Sequence, residues 1–200
     1  SMSHEMIDPA SGAVVPAYAY ADFPTYHDAM HAPVVFQATD DDGNGVIGSE
    51  DMPDIAVVMG QEDSVTDGVI RLISGDGSAV HGSIHWSSFT NANGTHTYAP
   101  YHYAGLAMAN IDNDPNIEIV TLAIRQSDGL CYPAVYEVEG LNGNGTISLE
   151  AVYGGGNHTC TAHAPALADI DGDGGVEIIL GRAVMSANLD FEWLGQGGRG

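Results

Sequence analysis

Three stretches of this chain write one pattern: an apolar run, a cluster of aspartate and asparagine threaded with glycine, then a second apolar run. The copies are PVVFQATDDDGNGVIGSEDMPDIAVVMG from Pro33, GLAMANIDNDPNIEIVTLA from Gly105 and PALADIDGDGGVEIILG from Pro165. Internal repetition means that one supersecondary unit is built several times, so whatever fold the unit takes must tolerate stacking on copies of itself. The runs are short, β-branched and bounded by Gly, Asp and Asn, and helical periodicity is nearly absent. The chain therefore reads as all-β.

The grammar is clearest after the second cluster. Tyr103 to Ala109 and Ile117 to Ile124 read as strands, Ser127-Asp128-Gly129 as a turn, and Cys131 to Glu139 as a third strand. LNGNG turns the chain again before Thr146 to Tyr153. The first unit repeats the plan with Ile55 to Met59, Gly68 to Ile73, a turn at Ser74 to Gly77, Val80 to Trp86 and a long loop from Ser87 to Ala99. The third offers Ala164 to Ala168, Glu177 to Leu180, Val184 to Ser186 and Leu189 to Leu194. Segment AVVPAYAYADFP, near the N-terminus, suggests one edge strand.

Asp112 and Asp171 stand 59 residues apart and Asp40 and Asp112 stand 72 apart, a period of about sixty with an insertion in the first copy. Four-stranded antiparallel units at a fixed period predict β-propeller blades, here about three, over 32–99, 100–160 and 161–200, after a tag and leading segment at 1–31. A β-sandwich is the alternative, but it does not require the same acidic loop after the first strand of each unit. Three blades do not close a ring of the usual four to eight or so. The expectation is therefore a piece of a longer array, or copies that assemble, as two chains would under C2 symmetry.

The acidic loops predict metal sites. In the third copy oxygens recur at Asp169, Asp171, Asp173, the Gly175 carbonyl and Glu177, alternate positions that wrap a tight turn around one ion. In the second they are Asn110, Asp112, Asp114, the Asn116 carbonyl and Glu118, with one carboxylate replaced by an amide, which predicts weaker binding. The first copy has Ala38 at the first ligand position. Read instead from Asp40, DDDGNGVIGSED fits a twelve-residue EF-hand-type loop in which Asp40, Asp42, Asn44, the Val46 carbonyl and Asp51 ligate and Gly45 makes the turn. Asp54 then stands behind that site or competes for the ion. All donors are hard oxygens, so calcium is expected, two to three ions in all. Asp-Gly and Asn-Gly steps also make plain hairpin turns, but that reading leaves unexplained why an acid returns at Asp54, Glu118 and Glu177.

These loops resemble the FG-GAP or VCBS-type repeat of integrin alpha chains and of many secreted bacterial proteins. The third copy matches closely, the second with an amide, the first with an insertion, and the likeness runs from about Pro33 to Leu194. The resemblance implies a calcium ion in the loop between the first two strands of a blade, and an extracellular recognition or adhesion role.

Composition sets the partners. With 27 acidic residues, four arginines and no lysine, the formal charge is −23, which disfavours nucleic acid and anionic membranes and suits a saline setting. Apolar stretches stay under about ten residues, too short to span a bilayer, and SMSHEM reads as an appended tag rather than a signal peptide. Cys131 and Cys160 are expected to form a disulfide; two separate thiols are the alternative, and His158, Cys160 and His163 can also be read as a soft-metal cluster. Aromatic segments His96 to Tyr103 and Ile84 to Phe89 can stack on sugar rings or pack between blades. Sequons at Asn93, Asn144 and Asn157 read as turns.

Three function classes follow. The first is a calcium-stiffened extracellular module that binds a protein or glycan. The second is a calcium-dependent polysaccharide lyase or glycoside-active enzyme, whose base without lysine would be arginine, tyrosine or a histidine such as His81 or His102. No nucleophile, base and orienter arrangement stands out, so a non-enzyme is expected. The third is an architectural segment of a large surface protein.

Overall fold

The computed structural model describes residues 6–7, 14–15, 25–26, 28–61, 66–112, 114–141, 145–156, 160 and 163–195. The centre of the LNGNG turn, the sequons at Asn144 and Asn157, His158 and most of AVVPAYAYADFP lie outside them. Among the described residues, strands β1 (Met6–Ile7) and β2 (Val14–Val15) pair with each other and join none of the larger sheets.

All larger sheets are antiparallel. The first is a meander of β3 (Val34–Phe36), β4 (Asp54–Gly60), β5 (Gly68–Ile73) and β6 (Val80–Ile84). The middle sheet contains β7 (Ser87–Asn91), β8 (Gly94–Pro100), β9 (Ala107–Ala109), β10 (Ile117–Arg125), β11 (Cys131–Glu139) and β12 (Thr146–Val152). Here β8 and β9 share one edge of β10, Pro100 opposite Ala123 and Ala109 opposite Glu118. The third sheet repeats the meander with β13 (Ala166–Ala168), β14 (Glu177–Leu180), β15 (Ala183–Met185) and β16 (Phe191–Leu194).

One expectation is corrected here. Ser87 to Ala99 is a hairpin, not a long loop: β7 and β8 pair from Ser87 opposite Tyr98 to Asn91 opposite Gly94. The alternation of Ser-Ser-Phe-Thr and the positive φ of Gly94 (108°) supply strand and turn, and the Thr90 and Thr95 hydroxyls bond across at 2.8 Å. Polar outer residues hid the strand because only one face is covered.

Period-two alternation decides which face packs on what. Val34, Ala56 and Leu72 lie side by side in the first sheet and join Ile117, Ile119, Tyr136 and Val138 of the middle sheet in one core cluster. Val120 and Val135 point the other way and pack with Ile178, Ala183 and Met185 of the third sheet. The middle sheet is thus covered on both faces. That is why β10 is buried from Ile117 through Ile124, with Glu118 and Thr121 as its buried polar residues.

Close backbone contact holds the first acidic loop in place. The Asp40 N–H donates to the Gly140 carbonyl at 2.9 Å, and a Cβ on Gly140 would stand 1.7 Å from the Ala38 oxygen. Any side chain there would push the loop off the β11–β12 turn. Further along, Cys131 at the head of β11 is bonded to Cys160, which decides against separate thiols and leaves no thiolate for a soft metal.

Tyr136 is fully buried and its hydroxyl has no hydrogen-bond partner, a desolvated polar group of the kind that costs about 1–3 kcal/mol. Tyr136→Phe is expected to raise the unfolding free energy by about 1 kcal/mol in a denaturant titration. A loss of stability would show that the hydroxyl is bonded in solution.

Candidate metal centres

Three sets of carboxylates converge, each with ligand oxygens within 4.8 Å of one another: Asp40, Asp42 and Asp51; Asp112, Asp114 and Glu118; Asp169, Asp171 and Glu177. Each set lies between the first two strands of a meander, where the chain leaves β3, β9 or β13 and returns as β4, β10 or β14.

Backbone amides build these loops. In the third, Asp169 accepts from Gly172 (2.6 Å) and Gly174 (3.1 Å), Asp171 from Asp173 (3.1 Å), and Asp173 from Gly175 (2.8 Å). In the first, Asp40 accepts from Asn44 (3.1 Å) and Gly45 (2.8 Å), Asp42 from Asn44 (2.9 Å), and the Asn44 side-chain oxygen from Val46 (2.8 Å). Gly45 and Gly174, each five residues after the leading aspartate, have φ of 86° and 95°, a left-handed turn that a side chain would strain. In the second, Asp112 accepts from Asp114 (3.0 Å) and Asp114 from Asn116 (2.7 Å), while the Asn110 amide donates to the Asp114 carbonyl.

A further bond recurs in all three units. Ala38, Ile111 and Ile170 donate their N–H to Asp54 (3.2 Å), Glu118 (2.7 Å) and Glu177 (2.8 Å), the acids that face Phe36, Ala109 and Ala168 across the strand pair. This register corrects the sequence alignment: Gln37, not Ala38, matches Asn110 and Asp169. It also separates the roles in the first unit. Asp51 closes the carboxylate set, held by N–H groups of Gly48 (2.7 Å) and Asp41 (2.9 Å). Asp54 turns aside to Thr39 (2.8 Å) and stands 3.3 Å from His81.

Of the remaining expected ligands, Asp173 stands outside the converging carboxylates of its loop, while Asn44 and Asn110 shape theirs through hydrogen bonds to Val46 and Asp114. The Asn116 side-chain amide donates to Glu137 (2.7 Å) and the Val46 N–H to Asn44 (2.8 Å); the backbone carbonyls expected to ligate take no part in either bond. Sequence reading missed Glu137 and Glu150, which lie on β11 and β12 beside the second loop.

The electrostatics suit a cation. Burial, with Asp112, Asp114 and Glu150 adding repulsion, pushes the Glu118 carboxyl up to about 8, and burial with Asp112, Glu137 and Asp114 lifts Glu150 to about 7. Burial also raises Glu137 and Asp54. Asp51 moves the other way, because Gly48, Asp42 and Asp41 donate amides to its charged form. Glu118 is 1% exposed and its Oε1 has no partner. An all-oxygen donor set with an orphaned buried carboxylate oxygen fits a hard divalent ion such as calcium.

A pH dependence follows. Because the folded pKa values of Glu118 and Glu150 lie above the ordinary value of 4.5, the folded state binds these protons more tightly than the unfolded state. In chelator, the unfolding temperature is therefore expected to fall as pH rises from about 4.5 to about 8. Saturating calcium should flatten that decline, since the ion replaces the protons. A stability rising over this window in chelator would contradict the site.

The histidines named as candidate bases are placed differently. His81 sits beside Asp54, and His102 is buried, its ring stacked on Tyr103 at 3.9 Å with burial lowering its pKa. Of the aromatic segments, Tyr98 is buried edge-on to Tyr132, while Trp86 is exposed next to His85. Asn93 bonds the Gly154 carbonyl at 2.7 Å.

No protein-family model matches the chain, and no curated protein matches it. The likeness to FG-GAP or VCBS repeats thus rests on the loops themselves. Among solved structures, the chain is similar to the V. cholerae biofilm matrix protein Bap1, at 24% identity and a TM-score of 0.46. That match covers 87% of this chain and 32% of the other, so the chain spans about a third of its length.

Proposed function

We propose that this chain is an extracellular, calcium-binding β-propeller segment of about three FG-GAP-like blades, serving adhesion or the recognition of a protein or glycan. The observation that carries the reading is the threefold recurrence of one device: a carboxylate trio after the first strand of each meander, with an N–H of the loop bonded to the acid that faces that strand; in the first unit an aspartate three residues before that acid closes the trio. Asp40, Asp42 and Asp51, Asp112, Asp114 and Glu118, and Asp169, Asp171 and Glu177 would hold the ions. Bound calcium neutralises clustered carboxylates and ties each loop to the strand that follows it.

The disulfide supports an oxidising, extracellular setting. No helix among the described residues is long and apolar enough to cross a membrane. Assembly with further blades, in a longer chain or a second copy, is supported by apolar rows on the two outer faces: Val35, Ile55, Ile73 and Val80 on the first sheet, Ala166, Ile179, Val184 and Trp193 on the third. Val35 and Trp193 are 59% and 60% exposed.

The reading is of a binding module rather than an enzyme. Glycan-array binding that disappears in chelator would support recognition; release of unsaturated uronate products from acidic polysaccharides would overturn it in favour of a lyase. Light scattering in calcium distinguishes a dimer from a monomer.

A further inference from the structure

The three sheets stack through one repeated interface. Asp54, Glu118 and Glu177 take equivalent places opposite Phe36, Ala109 and Ala168, so the strands that carry them can be counted from these acids. The residue after each acid looks back toward the preceding sheet: Ile119 packs with the first sheet and Ile178 with the middle one. The next residue looks forward, as Ala56 does into the middle sheet and Val120 into the third. The ends of the stack carry the same two rows. Val35, Ile55, Ile73 and Val80 look back from the first sheet, and Ala166, Ile179, Val184 and Trp193 look forward from the third.

At the forward-looking place on the outermost strand the sheets differ in bulk. Gly82, Ala151 and Trp193 occupy it, opposite Leu72, Val135 and Val184. Gly82 meets a filled wall: a Cβ there would stand 2.1 Å from the Gly145 carbonyl oxygen and 3.4 Å from Ile147 of the middle sheet, which packs beside Ile117 and Val138. Where the middle sheet has Ile117 before its acid and Val138 across from it, the first sheet has Pro53 before Asp54 and Gly75 against Pro53, a Cβ on Gly75 standing 2.0 Å from the Pro53 oxygen. Here the wall opens into a cavity of about 410 Å³ lined by Val35, Met52, Pro53, Ile55, Gly75 and Asp76. The smallest residue thus faces the full wall, and the largest, Trp193, stands at the far end of the same stack, 60% exposed.

We propose that the third sheet of one copy docks on the first sheet of a second copy, with Trp193 filling the cavity at Val35, Met52, Pro53 and Ile55. This rests on the reading that further blades complete the assembly, and it names the partner and the anchor. The contact continues the interface already used twice inside the chain, Ile179 meeting Ile55 as Val120 meets Ile178. The middle sheet separates knob from cavity within one chain, so they meet only between copies. Asp76, fixed by the Ser74 hydroxyl (2.9 Å) and the Ser78 N–H (2.7 Å), offers a carboxylate acceptor to the indole N–H. Each copy supplies one knob and one cavity, so the contact is heterologous and association continues until a ring closes. Copies that each carry a formal charge of −23 repel, and cations that neutralise the loops favour the contact.

The test is sedimentation of the full chain in millimolar calcium at chain concentrations up to about 0.1 mM, with Trp193→Ala, Val35→Glu and an equal mixture of the two. Both positions are exposed, and unchanged circular dichroism verifies folding. The wild type is expected to associate, and each variant alone to associate roughly thirty-fold more weakly or not at all. The mixture is expected to form a heterodimer, because one variant keeps an intact cavity and the other an intact Trp193. In a Trp86→Phe background Trp193 is the sole tryptophan, and its emission should move to shorter wavelength as the chain associates. A monomeric wild type, undiminished association of Trp193→Ala, or a mixture that stays monomeric overturns the proposal. A chain that binds calcium yet stays monomeric sinks this interface and leaves the metal reading intact; association without calcium binding does the reverse.

Discussion

Removing calcium is expected to lower the unfolding temperature of this protein by about 10 °C or more. Extracellular calcium modules bind with dissociation constants of about 10⁻⁴ to 10⁻³ M, so 10 mM calcium stabilises by roughly 1.4 to 2.7 kcal/mol per site. For a chain of this length, each kcal/mol shifts the transition by ~2–4 °C, and three loops act together. Asp171→Ala should remove one such share, because Asp171 belongs to a converging trio, whereas Asp190→Ala, an exposed acid outside every trio, should not. In chelator, Asp171→Ala should no longer destabilise, since it also removes uncompensated repulsion. Thermal scans in calcium and in chelator read both effects. Equal shifts for the two variants in calcium would refute the third loop as a site.

Opening the disulfide is the second large effect. Cys131 and Cys160 are 29 residues apart, and closing a loop of that length in the unfolded chain is worth about 3–4 kcal/mol in the chain-entropy account. The bond also ties the head of β11, in the middle sheet, to the segment that leads into β13. Replacing both cysteines by alanine is expected to lower the unfolding temperature by about 10 °C. Cys131 is wholly buried, so alanine avoids stranding a polar hydroxyl there. Calcium binding should survive, because no trio includes either cysteine. A shift under about 2 °C would mean that the reduced chain is held in register by packing alone.

What could be read from the chain followed from how local each interaction is. Asp169, Asp171 and Glu177 lie within nine residues, so their convergence was visible in their spacing, and the EF-hand-type register from Asp40 to Asp51 predicted the trio of the first unit. Buried strands such as β10 and β11 were legible because both faces are apolar. The hairpin from Ser87 to Pro100 was not, because its exposed face carries serine, threonine and asparagine. The alignment of Ala38 with Asp169 failed because the insertion made spacing alone ambiguous; only the pairing of Phe36 with Asp54 resolves it.

The sequence by itself determined the repeated unit, the all-β class and the hard-oxygen chemistry of the loops, since each depends on residue type and short spacing. Tertiary structure decided the rest. It set Asp51 rather than Asp54 in the first trio, joined Cys131 to Cys160, placed one sheet between two others, and brought Glu137 and Glu150 beside Glu118. Those outcomes depend on strand register between segments far apart in the chain, where a shift of one residue sends a carboxylate to the opposite face.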